Sequence, residues 1–152
     1  MSQDKIFISH SENETLELGQ KFAKNLFGGL VILLDGDLGT GKTVFVRGVG
    51  QELNISGVRS PSFTLINEYQ AKNFVVIHAD LYRLDENNAN SIGLEEFYGL
   101  DDFVVFIEWP ERLPGIFADN IIKINFLALN ESERKIKFSG LGLKAEGVIS
   151  RL

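Results

Sequence analysis

The stretch VILLDGDLGTGKTVFVRGVG, Val31 to Gly50, places a cluster of glycines with a lysine and a threonine between two apolar segments. The apolar run Leu30–Asp35 is typical of a buried strand. After the cluster, the apolar segment from Lys42 to Leu53 predicts a helix. Residues 36–43 between them match the pattern G-x-x-x-x-G-K-[ST]. The stretch therefore predicts a strand, a glycine-rich loop and a helix in direct succession.

This succession is suited to holding a phosphate group. Glycines allow backbone conformations that turn successive N–H groups toward one anion, and a helix N-terminus adds free N–H donors and a positive dipole end. Lys42 would reach the terminal phosphates, and the Thr43 hydroxyl would ligate Mg²⁺. The alternative is a plain strand-to-helix turn with an incidental lysine. We expect the whole loop to bind nucleotide: Gly36, Asp37, Leu38, Gly39, Thr40, Gly41, Lys42 and Thr43.

The rest of the chain alternates between strand and helix patterns. A strand at Lys5–Ser9 precedes a helix over residues 12–27, with Ser11 as its N-cap and Glu14 as the capping-box partner. From about residue 140 onward, a stretch with three glycines is expected to fray. The other predicted elements are strands Phe63–Ala71 and Phe74–Tyr82, joined as a hairpin at Lys72–Asn73, a short helix Ser91–Gly99, a buried strand Phe103–Trp109, and strands Ile121–Leu129 and Arg134–Gly140.

Helices interleaved with fully apolar strands predict the α/β class. We expect one three-layer domain over residues 1–152, similar to P-loop NTPases, with a mixed, mostly parallel central sheet. The hairpin-like strand pairs are the reason to expect a mixed sheet rather than an all-parallel one.

Composition excludes several kinds of protein. The 152 residues include no cysteine, so disulfides and thiolate metal sites are excluded. The 15 Lys and Arg are scattered among 21 Asp and Glu, and the net charge of −6 disfavours independent nucleic-acid binding. No apolar segment is long enough to span a membrane, and the N-terminus lacks a secretory signal pattern. We expect a cytoplasmic protein whose partners are proteins or small anions.

Two apolar strands each end in a carboxylate, Asp80 and Glu108. Ligands of open α/β sheets bind outside the carboxyl ends of the strands, so both acids are expected near Thr43. Mg²⁺ prefers oxygen ligands and needs only one or two protein carboxylates. We expect the two acids to bind the metal or to orient water, and direct and water-mediated ligation both remain open for Glu108. The alternative is a pair of solvated charges at strand ends.

The choice of nucleotide and the neighbouring segments give further expectations. The absence of an N-K-x-D motif favours ATP over GTP. The hydroxyls of Ser60, Ser62 and Thr64 predict a switch segment that orders around the γ-phosphate, with a surface turn as the alternative. His78 is expected to be a packed core residue. Trp109 directly follows Glu108 and is a candidate wall of the nucleotide pocket.

Four segments together resemble one family. GDLGTGKT, SPSFTLINEY, HADLYRL and IEWPERL are similar in order and spacing to the TsaE (formerly YjeE) family of bacterial P-loop ATPases. The resemblance implies a small α/β fold around a mixed sheet and a weak ATPase. It also implies a place in the bacterial machinery that makes threonylcarbamoyladenosine at position 37 of tRNAs reading ANN codons. The resemblance further implies that the ATPase acts on the threonylcarbamoyl-transferring complex rather than on tRNA.

Roles carried over from the resemblance refine the site. Thr43 and Glu108 correspond to the Mg²⁺ ligands, and Asp80 to an acid that is catalytic or lies behind the metal. Arg134 resembles an arginine on the base side of the nucleotide, and Ser11 lies where the N-terminal segment approaches it. A surface arginine and a plain N-cap are the alternatives for these last two. Ser62 stands where the family commonly has threonine, and it keeps the hydroxyl.

Three functions follow from these residues. The leading one is an ATP-hydrolysing accessory protein, in which Lys42 and Mg²⁺ neutralise developing charge and Asp80 or Glu108 orients the attacking water. The second is a small-molecule kinase, although Arg83, Arg112 and Arg134 are too dispersed to form an arginine-rich lid. The third is a nucleotide-gated binding module without useful hydrolysis.

Overall fold

The computed structural model of the chain describes residues 4–59, 61, 65–84 and 92–152. Among these described residues, two one-turn 3₁₀ helices, Leu94–Phe97 and Pro110–Arg112, accompany the longer elements. In chain order those elements are β1 (Lys5–Ser9), α1 (Glu12–Ala23), β2 (Val31–Asp35), α2 (Lys42–Glu52), β3 (Ile66–Gln70), β4 (Val75–Asp80), β5 (Phe103–Glu108), β6 (Ile121–Ala128), β7 (Arg134–Leu141) and α3 (Leu143–Ser150). Most of the elements predicted from sequence lie within two residues of these bounds.

The seven strands form one sheet in the order β1-β7-β6-β2-β5-β4-β3. The central strands β6, β2, β5 and β4 are parallel to one another, whereas β7 pairs antiparallel with both β6 and β1, and β3 pairs antiparallel with β4. All strands except β7 and β3 therefore run in the same direction. The mixed, mostly parallel sheet is confirmed, and the β3–β4 hairpin is formed as predicted.

The three α-helices cover one face of the sheet. Buried residues of α1, α2 and α3 share one apolar cluster with every second residue of the central strands. Glycines bring α1 and α2 into close contact, since a Cβ at Gly48 would overlap the carbonyl of Leu16. The opposite face carries a second cluster covered by the two 3₁₀ helices and their flanking loops. The third layer is thus thin and contains no α-helix among the residues that the structure describes.

The end of the first helix and the C-terminal segment differ from the predictions. Helix α1 stops at Ala23 instead of residue 27, because the N–H groups of Asn25 and Leu26 bond to carbonyls three residues back, as in a 3₁₀ turn. The expected fraying after about residue 140 is wrong, since that segment forms α3. The Asn120 Oδ1 accepts the N–H groups of Lys144 and Ala145 at 3.0 and 3.2 Å. With Ala145, Val148 and Ile149 buried, the helix is both capped and packed.

The described part of the chain contains no helix long and apolar enough to cross a membrane.

Candidate nucleotide-binding site

The glycine-rich loop leads from β2 into α2 as the sequence predicts. Gly36 has φ +151°, and a Cβ there would lie 2.6 Å from the carbonyl oxygen of Phe126, so only glycine fits. The Thr40 Oγ1 donates to the Asp37 carbonyl at 2.7 Å and braces the loop. Gly41 caps α2 in the left-handed conformation without any side-chain hydrogen bond to the helix N-terminus. The first N–H groups of α2 are therefore not occupied by a capping side chain, which suits an anion.

Lys42 is folded back over this loop rather than extended at the surface. Its side chain is almost buried, with 5% of the residue exposed. The Nζ donates to the Gly36 carbonyl at 2.5 Å and lies 4.1 Å from the centroid of the Trp109 ring. Its charge is thus held by a carbonyl dipole and a cation–π contact.

A cavity of about 680 Å³ opens above the loop. It also contacts residues that the sequence did not single out, among them Glu12, Tyr82, Glu131 and Ser132. Gly36, Asp37 and Thr40 belong to the loop but do not line the cavity. The switch residues Ser60, Ser62 and Thr64 lie outside the described residues. Ten predicted site residues line it: Ser11, Leu38, Gly39, Gly41, Lys42, Thr43, Asp80, Glu108, Trp109 and Arg134.

The two acids lie side by side at the carboxyl ends of neighbouring parallel strands. Asp80 of β4 is the register partner of Glu108 of β5, and both line the cavity. The Oδ1 of Asp80 accepts the Tyr82 N–H at 3.1 Å, which fixes the turn after β4. Glu108 is only 3% exposed. The strand order therefore brings together two carboxylates that are 28 residues apart in the chain. Both acids thus lie at one edge of the sheet, as predicted from the sequence.

His78 holds the buried carboxylate of Glu108. Its Nε2 lies 2.7 Å from the Oε2 of Glu108, and the His78 side chain has no exposed surface. Because a carboxylate only accepts, Nε2 is the donor in this hydrogen bond. Nδ1 is buried without a hydrogen-bond partner within the described ranges, which costs about 1–3 kcal/mol. The expectation of a packed core histidine is confirmed, but its bond to Glu108 was missed.

Trp109 is one of the residues that line the cavity. Its ring lies 5.0 Å from that of Tyr82, centroid to centroid. The backbone has φ +60° immediately before Pro110, a left-handed conformation that costs about 1–3 kcal/mol in a bulky residue. This turn directs the indole onto Lys42 instead of along β5, and Trp109 lines the cavity as predicted.

Arg134 joins the β6–β7 turn to the glycine-rich loop. Its Nη2 donates to the Gly39 carbonyl at 3.2 Å and to that of Glu131 at 3.3 Å. Its Nη1 donates to the carbonyls of Asn130 and Glu133 at 2.7 and 3.0 Å. The Arg134 side chain is thus a fixed part of the cavity rim rather than a free surface arginine, because both of its Nη atoms donate to backbone carbonyls.

Ser11 is the N-cap of α1 and also lines the cavity. Its Oγ accepts the Glu14 N–H at 3.1 Å. Glu14 returns a bond to the N–H of His10 at 2.6 Å instead of closing the capping box on Ser11. That bond, together with the His10 ring, lowers the pKa of Glu14. The other ring nitrogen of His10 lies 3.5 Å from Glu133, so the start of α1 contacts the β6–β7 turn.

The residues present fit a nucleotide-bound Mg²⁺ better than a metal held by protein alone. In the part of the chain that the structure describes, no three or more His, Cys, Asp and Glu converge as a metal site. Thr43, Asp80 and Glu108 instead offer hard oxygen atoms around one cavity. Mg²⁺ bound to nucleotides takes one or two protein oxygens and completes its shell with phosphate oxygens and water.

A mostly parallel central sheet, a glycine-rich loop entering a helix, and acids on the adjacent strands define a P-loop protein. Comparison with known proteins narrows the class. The family model described as "Threonylcarbamoyl adenosine biosynthesis protein TsaE" matches residues 9–136. The chain belongs to the TsaE family, as the four sequence segments predicted.

Individual relatives agree with this assignment. A protein of Nostoc sp. named tRNA threonylcarbamoyladenosine biosynthesis protein TsaE is 46% identical over 114 residues, covering 72% of this chain and 70% of that protein. A protein of the same name from Aquifex aeolicus is 38% identical over 136 residues, covering 88% and 94%. The crystal structure of Bacillus subtilis YdiB matches with a TM-score of 0.78 and 29% identity, covering 99% of this chain and 97% of that chain.

Proposed function

We propose that this protein binds ATP with Mg²⁺, hydrolyses it slowly, and supports formation of N6-threonylcarbamoyladenosine at position 37 of tRNA. The observation that carries the proposal is the convergence of Lys42, Thr43, Asp80 and Glu108 on one cavity beside the glycine-rich loop. Membership of the TsaE family supplies the pathway.

The cavity has the size and the groups for a nucleoside triphosphate. Its volume of about 680 Å³ lies within the usual range for small-molecule sites. The N–H groups at the start of α2 would bind phosphate oxygens. The Nζ of Lys42 would leave the Gly36 carbonyl and the Trp109 ring to reach the terminal phosphates. The rim formed by Arg134 and the β6–β7 turn would then face the ribose and base.

The chemistry follows from positioning and charge. Thr43 and Glu108 would hold a bound Mg²⁺, which supplies neutralisation of negative charge on the phosphate oxygens. Lys42 would stabilise the charge that develops as the terminal phosphoryl group departs. Asp80 or Glu108 would accept a hydrogen bond from the attacking water and orient it. The side chains that act on the phosphates thus lie on β4, β5 and the loop, which the sheet fixes relative to one another.

The partner is proposed to be a protein. The net charge of −6 works against the phosphate contacts that dominate tRNA binding. We infer that the protein acts on the threonylcarbamoyltransferase complex, in the cytoplasm, and that nucleotide controls this association.

A reconstituted tRNA-modification assay tests the proposal. Adding the wild-type protein with ATP should raise the yield of modified tRNA over many turnovers, and the partner complex should stimulate ATP hydrolysis. Glu108→Gln and Asp80→Asn should bind ATP, fail to hydrolyse it and fail to support modification, whereas Lys72→Ala, an exposed change in the β3–β4 hairpin, should match wild type. A variant that does not hydrolyse ATP but fully supports tRNA modification would favour the nucleotide-gated binding module over the ATPase. Absence of any stimulation would refute the accessory role.

A further inference from the structure

We propose that His78 is a positioning residue that orients the Glu108 carboxylate toward the magnesium-bound nucleotide; this inference rests on the function proposed above. The His78 Nε2 to Glu108 Oε2 distance is 2.7 Å, and both side chains are buried. His78 does not line the cavity, whereas Glu108 does. His78 therefore reaches the nucleotide site only through Glu108.

The register of the sheet explains how the contact is made. His78 and Asp80 project from the same face of β4, and Asp80 is paired with Glu108 of β5. His78 thus lies one step behind the pair of acids, on the side of the core. Its bond occupies Oε2 and leaves Oε1 as the oxygen that can turn to the cavity. A glutamate has three rotatable bonds, and a fixed donor on one oxygen restricts them.

The energetic cost of burying the His78 ring with an unsatisfied nitrogen supports a role beyond packing. Its Nδ1 is buried and finds no hydrogen-bond partner among the residues described. An apolar residue would fill the same space beside Val76, Val104 and Phe106 without that unsatisfied atom. The useful part of the ring is then the Nε2–H group that faces Glu108. Hydrogen bonds from a second residue to a metal-binding carboxylate commonly change metal affinity 10- to 100-fold.

Magnesium dependence of ATP binding is the direct test. Calorimetry with excess Mg²⁺ and with a chelator measures how much Mg²⁺ tightens ATP binding. In His78→Phe, which keeps the volume and removes the donor, we expect this tightening to fall about 10- to 100-fold. In His78→Gln, whose amide can take the place of Nε2, it should stay close to wild type. Binding with the chelator present should be the same in all three proteins.

A core variant separates positioning from general destabilisation. Val76→Ala removes buried volume from the same strand, two residues before His78, and should lower thermal stability without changing the Mg²⁺ dependence. If His78→Phe does not fold, His78→Asn replaces it, because its shorter amide does not reach Glu108. Equal Mg²⁺ dependence in wild type and the donor-deficient variant, or an equal loss in Val76→Ala, would overturn the inference.

The imidazole itself provides a readout that is independent of activity. The chain has two histidines, so long-range ¹H–¹⁵N spectra of wild type and His10→Gln assign His78. We expect the ring to carry a proton on Nε2, and an Nε2 without a proton would refute the proposed bond. Wild-type protein that binds no ATP with or without Mg²⁺ would overturn the proposed function and this inference together, a result distinct from those above.

Discussion

The ammonium group of Lys42 lies 4.1 Å from the ring centroid of Trp109, the single tryptophan of the chain. The lysine belongs to the glycine-rich loop and the tryptophan to the turn after β5, and both residues line the cavity. Phosphate binding by Lys42, as proposed above, would compete with this contact for the same charge. The indole is therefore a built-in reporter of where Lys42 is.

We predict that ATP with Mg²⁺ changes the fluorescence of Trp109, because Nζ moves from the ring to the phosphates. The titration should reach half of its change at the dissociation constant measured by calorimetry. Trp109→Phe should abolish the signal without unfolding the protein. Unchanged emission while calorimetry reports saturation would contradict the assigned movement of Lys42.

Lys42→Ala should weaken ATP binding about 10- to 100-fold, the equivalent of the roughly 1.5–3 kcal/mol typical of a charged hydrogen bond. The fold should persist, because the Nζ itself is held by a loop carbonyl and by the partly exposed ring of Trp109. Lys72→Ala, an exposed charge change in the β3–β4 hairpin, is the control and should bind ATP as wild type does. Wild-type ATP affinity in Lys42→Ala would show that the glycine-rich loop is not the ATP-binding site.

Two glycines have nearly equal φ angles, so alanine variants at the two positions can separate the effect of backbone strain from an effect on ATP binding. Gly39 and Gly57 have φ of +77° and +76°, and a Cβ at either would meet no atom within 4 Å. Alanine at each should destabilise the protein by about 1–2 kcal/mol through its left-handed backbone, measured by chemical denaturation. Only Gly39→Ala should also weaken ATP binding, since Gly39 lines the cavity. An equal loss of affinity in Gly57→Ala would mean that the effect is global.

The glycine-rich loop and the strand ends were predictable because their signals are local. The pattern of residues 36–43 and the acids that end β4 and β5 can be read without knowing which strands are neighbours. The His78–Glu108 bond could not be predicted in this way, since it depends on β4 lying next to β5 in a particular register. A histidine two residues before the acid that ends a buried strand was the available signal. It could not identify the partner.

Helix α3 was missed for a different reason. Its eight residues carry little helical periodicity and include a glycine, so local propensity favours a frayed end. Its stability comes from elsewhere in the chain, through the Asn120 side chain at its first turn and through burial of Val148 and Ile149 on the sheet. The thin third layer was likewise not readable from periodicity, because its 3₁₀ helices are one turn long.

Tyr98 should limit stability at alkaline pH. Burial, with the charge of Glu95 adding to it, raises the pKa of Tyr98 from 10.0 to about 12. The folded protein thus keeps a proton that the unfolded chain releases near pH 10, so this contribution to stability is complete below pH 10 and is lost as the pH rises toward 12. The ultraviolet absorbance of phenolate should show one tyrosine titrating late, and Tyr98→Phe should remove that step. Three tyrosines titrating together near pH 10 would refute the prediction.

The central claim is that the loop amides and Lys42 hold a triphosphate whose magnesium faces Glu108 and Asp80. A crystal structure of the protein grown with Mg²⁺ and a non-hydrolysable ATP analogue tests it most directly. We predict phosphate oxygens on the N–H groups at the start of α2, Lys42 released from the Trp109 ring, and Mg²⁺ between Thr43 and the two acids. Nucleotide bound at another surface, or bound here with Lys42 still on the Gly36 carbonyl, would contradict the account.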